Sequence, residues 1–300
     1  MQRDQAKEIT ITGGFAQRLS DFGVLVKFKL TLLVLFSALM SYAIVSLEQF
    51  NWTAFCLLGI GGFLVTGAAN ALNQVLERDY DILMPRTMNR PVATGRMSVS
   101  TAVLWAGLMA LGGISCLSVF NPLTGFLGTL SLISYAFIYT PLKRNTPWAV
   151  AVGAVPGALP LIIGCTAHEG YVSDSALLLF LLQFLWQFPH FWAVAWIADE
   201  GYKKAGFYLL PAQNGEKNEW TGLLSFVFCL LLVGSAWWGF ALGFTGLIAT
   251  ALLTALNVYW AMACWRLYRD CSQPAARKQM FISFMHLPVS LMVILADRMF

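Results

Sequence analysis

Asn73, Glu77 and Asp81 recur every fourth residue in the densest polar stretch of the chain, Asn73-Gln-Val-Leu-Glu77-Arg78-Asp79-Tyr80-Asp81. If the helix leading into them continues, all three lie on one stripe about 12 Å long at 1.5 Å per residue. Two carboxylates and an amide on one face make an oxygen site for a hard cation. So small a protein ligand set suits Mg²⁺ shared with a phosphorylated substrate. Arg78 sits among the acids, with Arg86 and Arg90 just downstream; their forked guanidiniums match phosphate oxygens. The plainer alternative is a solvated helix end in which Arg78 pairs the acids. Apolar residues before the stripe and two arginines after it favour the cation site, because burying such a stripe without a partner is expensive.

A second group is spread over Trp186-Gln187-Phe188-Pro189-His190-Phe191 and Asp199-Glu200-Gly201-Tyr202-Lys203-Lys204. Pro189 removes a backbone donor and is expected to kink its helix beside His190. Asp199 and Glu200 are expected to face the first acidic cluster, with Lys203 and Lys204 adding phosphate contacts. Tyr139-Thr140-Pro141-Leu142-Lys143-Arg144 brings two more bases to the same surface. His190 falls about 13 Å and His286 about 9 Å inside the ends of apolar runs, so both are intramembrane histidines, either packing residues or ligands.

The elements that must position these residues are membrane helices. The chain is 58% hydrophobic, with 19 Lys+Arg and 15 Asp+Glu in 300 residues, too apolar for a soluble domain. Runs long enough to cross a hydrocarbon core about 30 Å thick recur at 30–47, 52–76, 99–118, 123–142, 147–165, 174–198, 221–243, 245–267 and 280–297. Short alternating strands are absent from the pattern, which excludes a membrane barrel. The expected fold is all-α: one bundle of nine transmembrane helices, residues 26–300, after an N-terminal tail, 1–25. Two long polar loops, 77–98 and 199–220, leave the same surface four helices apart, a weak sign of internal duplication. With nine spans, every Lys and Arg except Arg298 lies on the side of the N-terminus and those loops. The positive-inside rule then makes the N-terminus cytoplasmic and the C-terminus periplasmic. The tail carries Asp4, Glu8 and Asp21 and reads as neither signal nor transit peptide. The six cysteines have neither metal nor redox spacing. Gly153-x-x-x-Gly157 and Gly239-x-x-x-Gly243 read as small-residue contact faces. Nothing in the charge pattern points to nucleic acid.

The Asn73-x-x-x-Glu77-Arg78-Asp79-x-Asp81 block with Arg86-Thr87-x-x-Arg90-Pro91 resembles the UbiA-type intramembrane prenyltransferases, from about residue 25 to the end. Tyr139-Thr140, Lys143-Arg144, Ala205-Gly206 and above all Trp186-Gln187-x-Pro189-His190-Phe191 resemble the heme-modifying branch of that superfamily. The resemblance implies transfer of the farnesyl group of farnesyl diphosphate to the 2-vinyl group of heme B in a bacterial inner membrane. It implies Mg²⁺ held by two acidic motifs, here Asn73, Glu77 and Asp81 with Asp199 and Glu200. Arg78, Arg86, Arg90, Lys143, Arg144, Lys203 and Lys204 are the expected diphosphate contacts. Asn73, Glu77, Asp81 and His190 are the expected catalytic residues, with His190 and His286 as candidate heme ligands. Because the product serves terminal oxidases, such an oxidase or the next heme-maturation enzyme is a candidate partner. Two positions depart from the pattern: Glu77 stands where Asp is common, and Gly201 where heme-branch relatives often carry Asp. The rival readings are a prenyltransferase for a quinone-precursor aromatic acceptor and a membrane transporter or structural subunit. Clustering of charge at one surface, away from the midplane, argues against transport.

Overall fold

The structure is a computed structural model that describes residues 14–212 and 215–300. Its described part consists of helices and connecting loops without strands and contains nine helices long and apolar enough to cross a membrane. A shorter helix, α1 (Phe15–Leu25), precedes them. The spans are α2 (Phe28–Ser46), α3 (Trp52–Leu76), α4 (Val99–Ser118), α5 (Pro122–Ile133, extended by a π-helical turn Ser134–Tyr139 and Thr140–Leu142) and α6 (Ala149–Glu169). They continue with α7 (Asp174–Ile197), α8 (Glu219–Ala241), α9 (Leu247–Asp270) and α10 (Gln273–Met299). Residues 1–13 of the expected tail, with Arg3 and Lys7, lie outside the described residues.

Helix ends follow side-chain chemistry. Asn51, Ser98, Asn121, Ser173 and Ser272 each cap the first turn of the following helix by accepting a backbone N–H. Ser272 and the early Pro274 start α10 at Gln273, two turns before the apolar run that marks it in the sequence, so its first turns are polar. Gly243 has φ +67 and closes the turn after α8 with open space around it. It is a turn residue and not the helix-contact position expected from its spacing to Gly239. α7 runs through Pro189 without a break, and the Pro189 carbonyl accepts Gln279 Nε2 at 2.8 Å.

Lipid tails are as apolar as leucine, so these helices associate through close packing and buried polar bonds. α6 is buried on two sides: Leu161 and Cys165 enter the core built on α7–α10, whereas Leu159, Ile162 and Ile163 enter the core built on α2–α5. Its glycines permit that approach. A Cβ on Gly153 would collide with the Tyr139 ring, and one on Gly157 with the Gln187 amide. α1 is fastened to the bundle at its end: Gln74 Nε2 donates to the Val24 and Leu25 carbonyls at 2.8 and 3.0 Å. Arg96 holds the buried Asp21 carboxylate at 3.0 Å, and Phe22 packs edge-on against Trp105. The last twelve residues of the expected tail are thus structured. Lys27, in the left-handed conformation at φ 49, makes the turn from α1 into α2.

Candidate active site

The stripe of Asn73, Glu77 and Asp81 does not lie on one uninterrupted helix. α3 ends at Leu76, and Glu77 (φ −102, ψ 6) introduces a separate turn, Arg78–Asp81. The four-residue register survives, because Glu77 N–H donates to the Asn73 carbonyl at 3.0 Å and Asp81 N–H to the Glu77 carbonyl at 2.8 Å. All three side chains are buried, Asp81 completely.

Each faces a cation from another part of the chain. Lys27 Nζ donates to Asn73 Oδ1 at 2.7 Å. Lys143 Nζ lies 2.5 Å from Glu77 Oε1. Arg90 Nη1 donates to both Asp81 oxygens, at 2.8 and 2.7 Å. Thr87 hydroxyl donates to the Asp81 carbonyl at 2.9 Å and pins the loop that carries Arg90. Burial pushes the Asp81 carboxyl above its ordinary range, opposed by Arg90. Burial also pushes the Lys27 amine well below its ordinary range, and the positive charges of Arg90 and Lys143 add to this. Six side chains drawn from residues 27 to 143 thus form one patch of three half-buried cations, two buried carboxylates and a buried amide.

Local chemistry places Lys143. Pro141 has no N–H to continue α5, and the chain widens into the π-helical turn just before it. The Thr140 hydroxyl takes the Tyr135 carbonyl at 2.9 Å and accepts Asn73 Nδ2 at 3.1 Å. That join brings Lys143 to Glu77, with its ammonium 4.9 Å from the Tyr139 ring centre and 5.7 Å from that of Phe207.

The second loop closes over the first through aromatics. Phe207 is buried with Met84 and Ala205, beside Tyr80 and Tyr202. Arg86 donates to the Tyr202 hydroxyl at 3.0 Å, and Arg144 to the Tyr80 hydroxyl at 2.6 Å with its guanidinium over the same ring. Neither arginine pairs with a carboxylate among the described residues.

The remaining expected site residues lie elsewhere. Arg78 pairs with exposed Asp79 at the surface. Lys203 and Lys217 flank Asp199 at 3.1 and 3.7 Å. Glu200 and Lys204 are exposed, and among the described residues no cluster of three or more acidic, His or Cys side chains forms a metal centre. A Cβ on Gly201 would only touch Pro85 at van der Waals distance, so the missing acid there is not enforced by space. Sequence reasoning missed Lys27 and Lys217, counting both only as orientation charges, and gave Tyr80 and Tyr202 no role. The one signal for Lys27 was a lysine just before an apolar run.

The two intramembrane histidines differ. His190, partly accessible, is stacked on Trp186 (centroids 4.5 Å, 14°), and its Nδ1 lies 2.7 Å from Ser283 Oγ. His286 is buried, its Nε2 2.6 Å from Asn257 Oδ1. The cavity beside His286 measures about 20 Å³, room for about one water and not for a porphyrin. In this structure His286 packs in the core against Asn257.

Asn73, Glu77 and Asp81 fit a hard divalent cation. Glu77 Oε1 and the two Asp81 oxygens are held by Lys143 and Arg90, cations whose place a bound metal and its phosphate oxygens would take. A magnesium ion that keeps waters or diphosphate oxygens needs no larger protein cage.

The UbiA prenyltransferase family model matches residues 34–285. The chain is 39% identical to the protoheme IX farnesyltransferase of Cytophaga hutchinsonii, over 95% of this chain and 100% of the relative. It is 36% identical to that of Flavobacterium psychrophilum, over 93% and 94%. Among solved structures, the fold is similar to a digeranylgeranylglyceryl phosphate synthase (TM-score 0.79, 16% identity, 94% of this chain and 99% of that one). It is also similar to a UbiA homologue of Archaeoglobus fulgidus bound to DMAPP and Mg²⁺ (TM-score 0.72, 16% identity, 91% and 99%).

Proposed function

We propose, from the premise that this chain belongs to the UbiA prenyltransferase family, how its residues carry out the reaction that its relatives' name describes. That reaction is transfer of the farnesyl group of farnesyl diphosphate to heme B at its 2-vinyl group, with a water adding the hydroxyl to the other vinyl carbon and diphosphate released, giving heme O. The observation that carries the acceptor is 39% identity across the whole length of a protoheme IX farnesyltransferase.

Asn73, Glu77 and Asp81 would hold Mg²⁺, which when bound would supply positive charge to the diphosphate oxygens. Lys27, Arg90 and Lys143 bind the same diphosphate, exchanging the amide and the carboxylates for phosphate oxygens. As the carbon–oxygen bond breaks, negative charge grows on the leaving group, and fixed cations in a water-poor pocket stabilise that charge strongly. Arg86 and Arg144, spared from carboxylates and oriented by Tyr202 and Tyr80, stand ready to add contacts. Asp199, flanked by Lys203 and Lys217 as Glu77 and Asp81 are by their own cations, is the second acidic position that would hold metal. The apolar bundle holds the fifteen-carbon chain and keeps water from the developing allylic cation. His190 binds the iron of the acceptor. The site faces the cytoplasm of a bacterial inner membrane, on the side where all basic residues but Arg298 collect.

Pigment analysis tests the reading. Membranes holding this protein, supplied with heme B, farnesyl diphosphate and Mg²⁺, yield heme O by chromatography and mass spectrometry. A farnesylated aromatic acid in its place would overturn the acceptor, and no farnesylated product would overturn the reaction.

A further inference from the structure

Four side chains fix the imidazole of His190. The Trp186 ring stacks on it, Phe284 and Phe191 meet it edge-on at 5.4 and 5.3 Å, and Ser283 Oγ stands 2.7 Å from Nδ1. α10 is itself held against α7 at this level. Trp186 Nε1 donates to the Ser283 carbonyl at 3.0 Å, and Gln279, one turn earlier, donates to the Pro189 carbonyl.

The hydrogens can be counted. A serine hydroxyl has one proton and two lone pairs. Ser283 gives its proton to the Met280 carbonyl, 2.5 Å away. In that arrangement the oxygen accepts from His190 and the imidazole proton sits on Nδ1. In the neutral ring Nε2 keeps a bare lone pair. Among the described residues Nε2 has no hydrogen-bond partner, and it is absent from the atoms sealed away from solvent without one. A histidine whose Nδ1–H is held by an oxygen acceptor, with Nε2 free, is arranged as metal-ligating histidines usually are. His286 is the internal contrast: its Nε2 is spent on Asn257, and its free Nδ1 is buried.

We propose that Ser283 is a positioning residue that holds His190 in the Nδ1–H form and presents the Nε2 lone pair to the iron of the heme acceptor. The iron half rests on the heme reading of the preceding subsection. The tautomer half does not.

Two measurements on the full-length protein in lipid nanodiscs test it. Nitrogen NMR of ¹⁵N-histidine protein without heme reports the tautomer at each of the three histidines, assigned with His168→Gln and His286→Gln variants. His190 is expected as Nδ1–H in the wild type and in Ser283→Thr, and as a tautomer mixture in Ser283→Ala. Titration with heme B, followed in the Soret band, is expected to show affinity weaker by about 10- to 100-fold in Ser283→Ala, the usual effect of losing such a partner, and restored in Ser283→Thr. The iron–histidine stretch of the ferrous complex should shift in Ser283→Ala alone. An Nε2–H tautomer in the wild type, or a Ser283→Ala protein with unaltered tautomer and heme affinity, overturns the role of Ser283. Wild-type heme spectra in His190→Ala overturn the iron ligand, whereas a wild-type protein that binds no heme overturns the acceptor reading itself.

Discussion

Lys27 offers the sharpest test of the site, because its effects on stability and activity should have opposite signs. In the free protein its ammonium is buried against a neutral amide, and Arg90 and Lys143 already occupy the two carboxylates. An uncompensated buried charge destabilises the fold. Lys27→Met keeps the apolar stem and removes the charge, so the melting temperature of the metal-free protein should stay level or rise. With diphosphate bound, the same charge lies against developing negative charge. Loss of one such preorganised donor lowers turnover by about 10²–10³, or roughly 2.7–4 kcal/mol. The assay is heme O formation at saturating and limiting farnesyl diphosphate beside a thermal melt in detergent. A pH series adds a sign. The unfolded chain holds the Lys27 proton up to the ordinary lysine range, whereas the folded chain loses it at lower pH. Between those points unfolding takes up a proton, so wild-type stability gains relative to Lys27→Met as pH rises. A variant that melts much earlier and loses activity in proportion would make Lys27 a structural residue. One with unchanged activity would remove it from the site.

Asp81→Asn and Glu77→Gln should abolish heme O formation while the protein still inserts and melts cooperatively; full activity in either, with Mg²⁺ present, sinks the metal assignment. Gly153→Val should displace the Tyr139 ring and cost about 1–3 kcal/mol of stability, the usual range for overpacking, read as a lowered melting temperature. His286→Ala should cost about 2–4 kcal/mol, because it opens a cavity and strands Asn257, while activity per folded molecule and heme spectra stay close to wild type. A changed heme spectrum in that variant would return His286 to the site.

Hydropathy marked nine spans to within a turn at most ends, since each helix meets lipid along most of its length and every residue contributes to the signal. The exception, α10, begins with polar turns that hydropathy cannot see and that the Ser272 cap starts. Asn73, Glu77 and Asp81 were legible for the same local reason: a four-residue repeat needs only one stretch of chain, and it survived the break at Glu77.

Partners were not legible. Lys27 reaches Asn73 across 46 residues because a left-handed turn folds α1 back beneath the bundle. Asp199 resembles Asp81 in type and position, yet Lys217 and Lys203 surround it. Both intramembrane histidines lie in apolar helices on one side of the membrane and read as candidate heme ligands, His190 alone with a catalytic role beside Pro189. Ser283 stands against the Nδ1 of one and Asn257 against the Nε2 of the other. Residue type and local spacing determined that this chain is a membrane bundle with an acidic, basic face able to bind a diphosphate. Only packing between helices decided which cation meets which acid and which imidazole keeps a free lone pair, because a hydrogen bond or ion pair depends on distances of a few tenths of an ångström that no local pattern encodes.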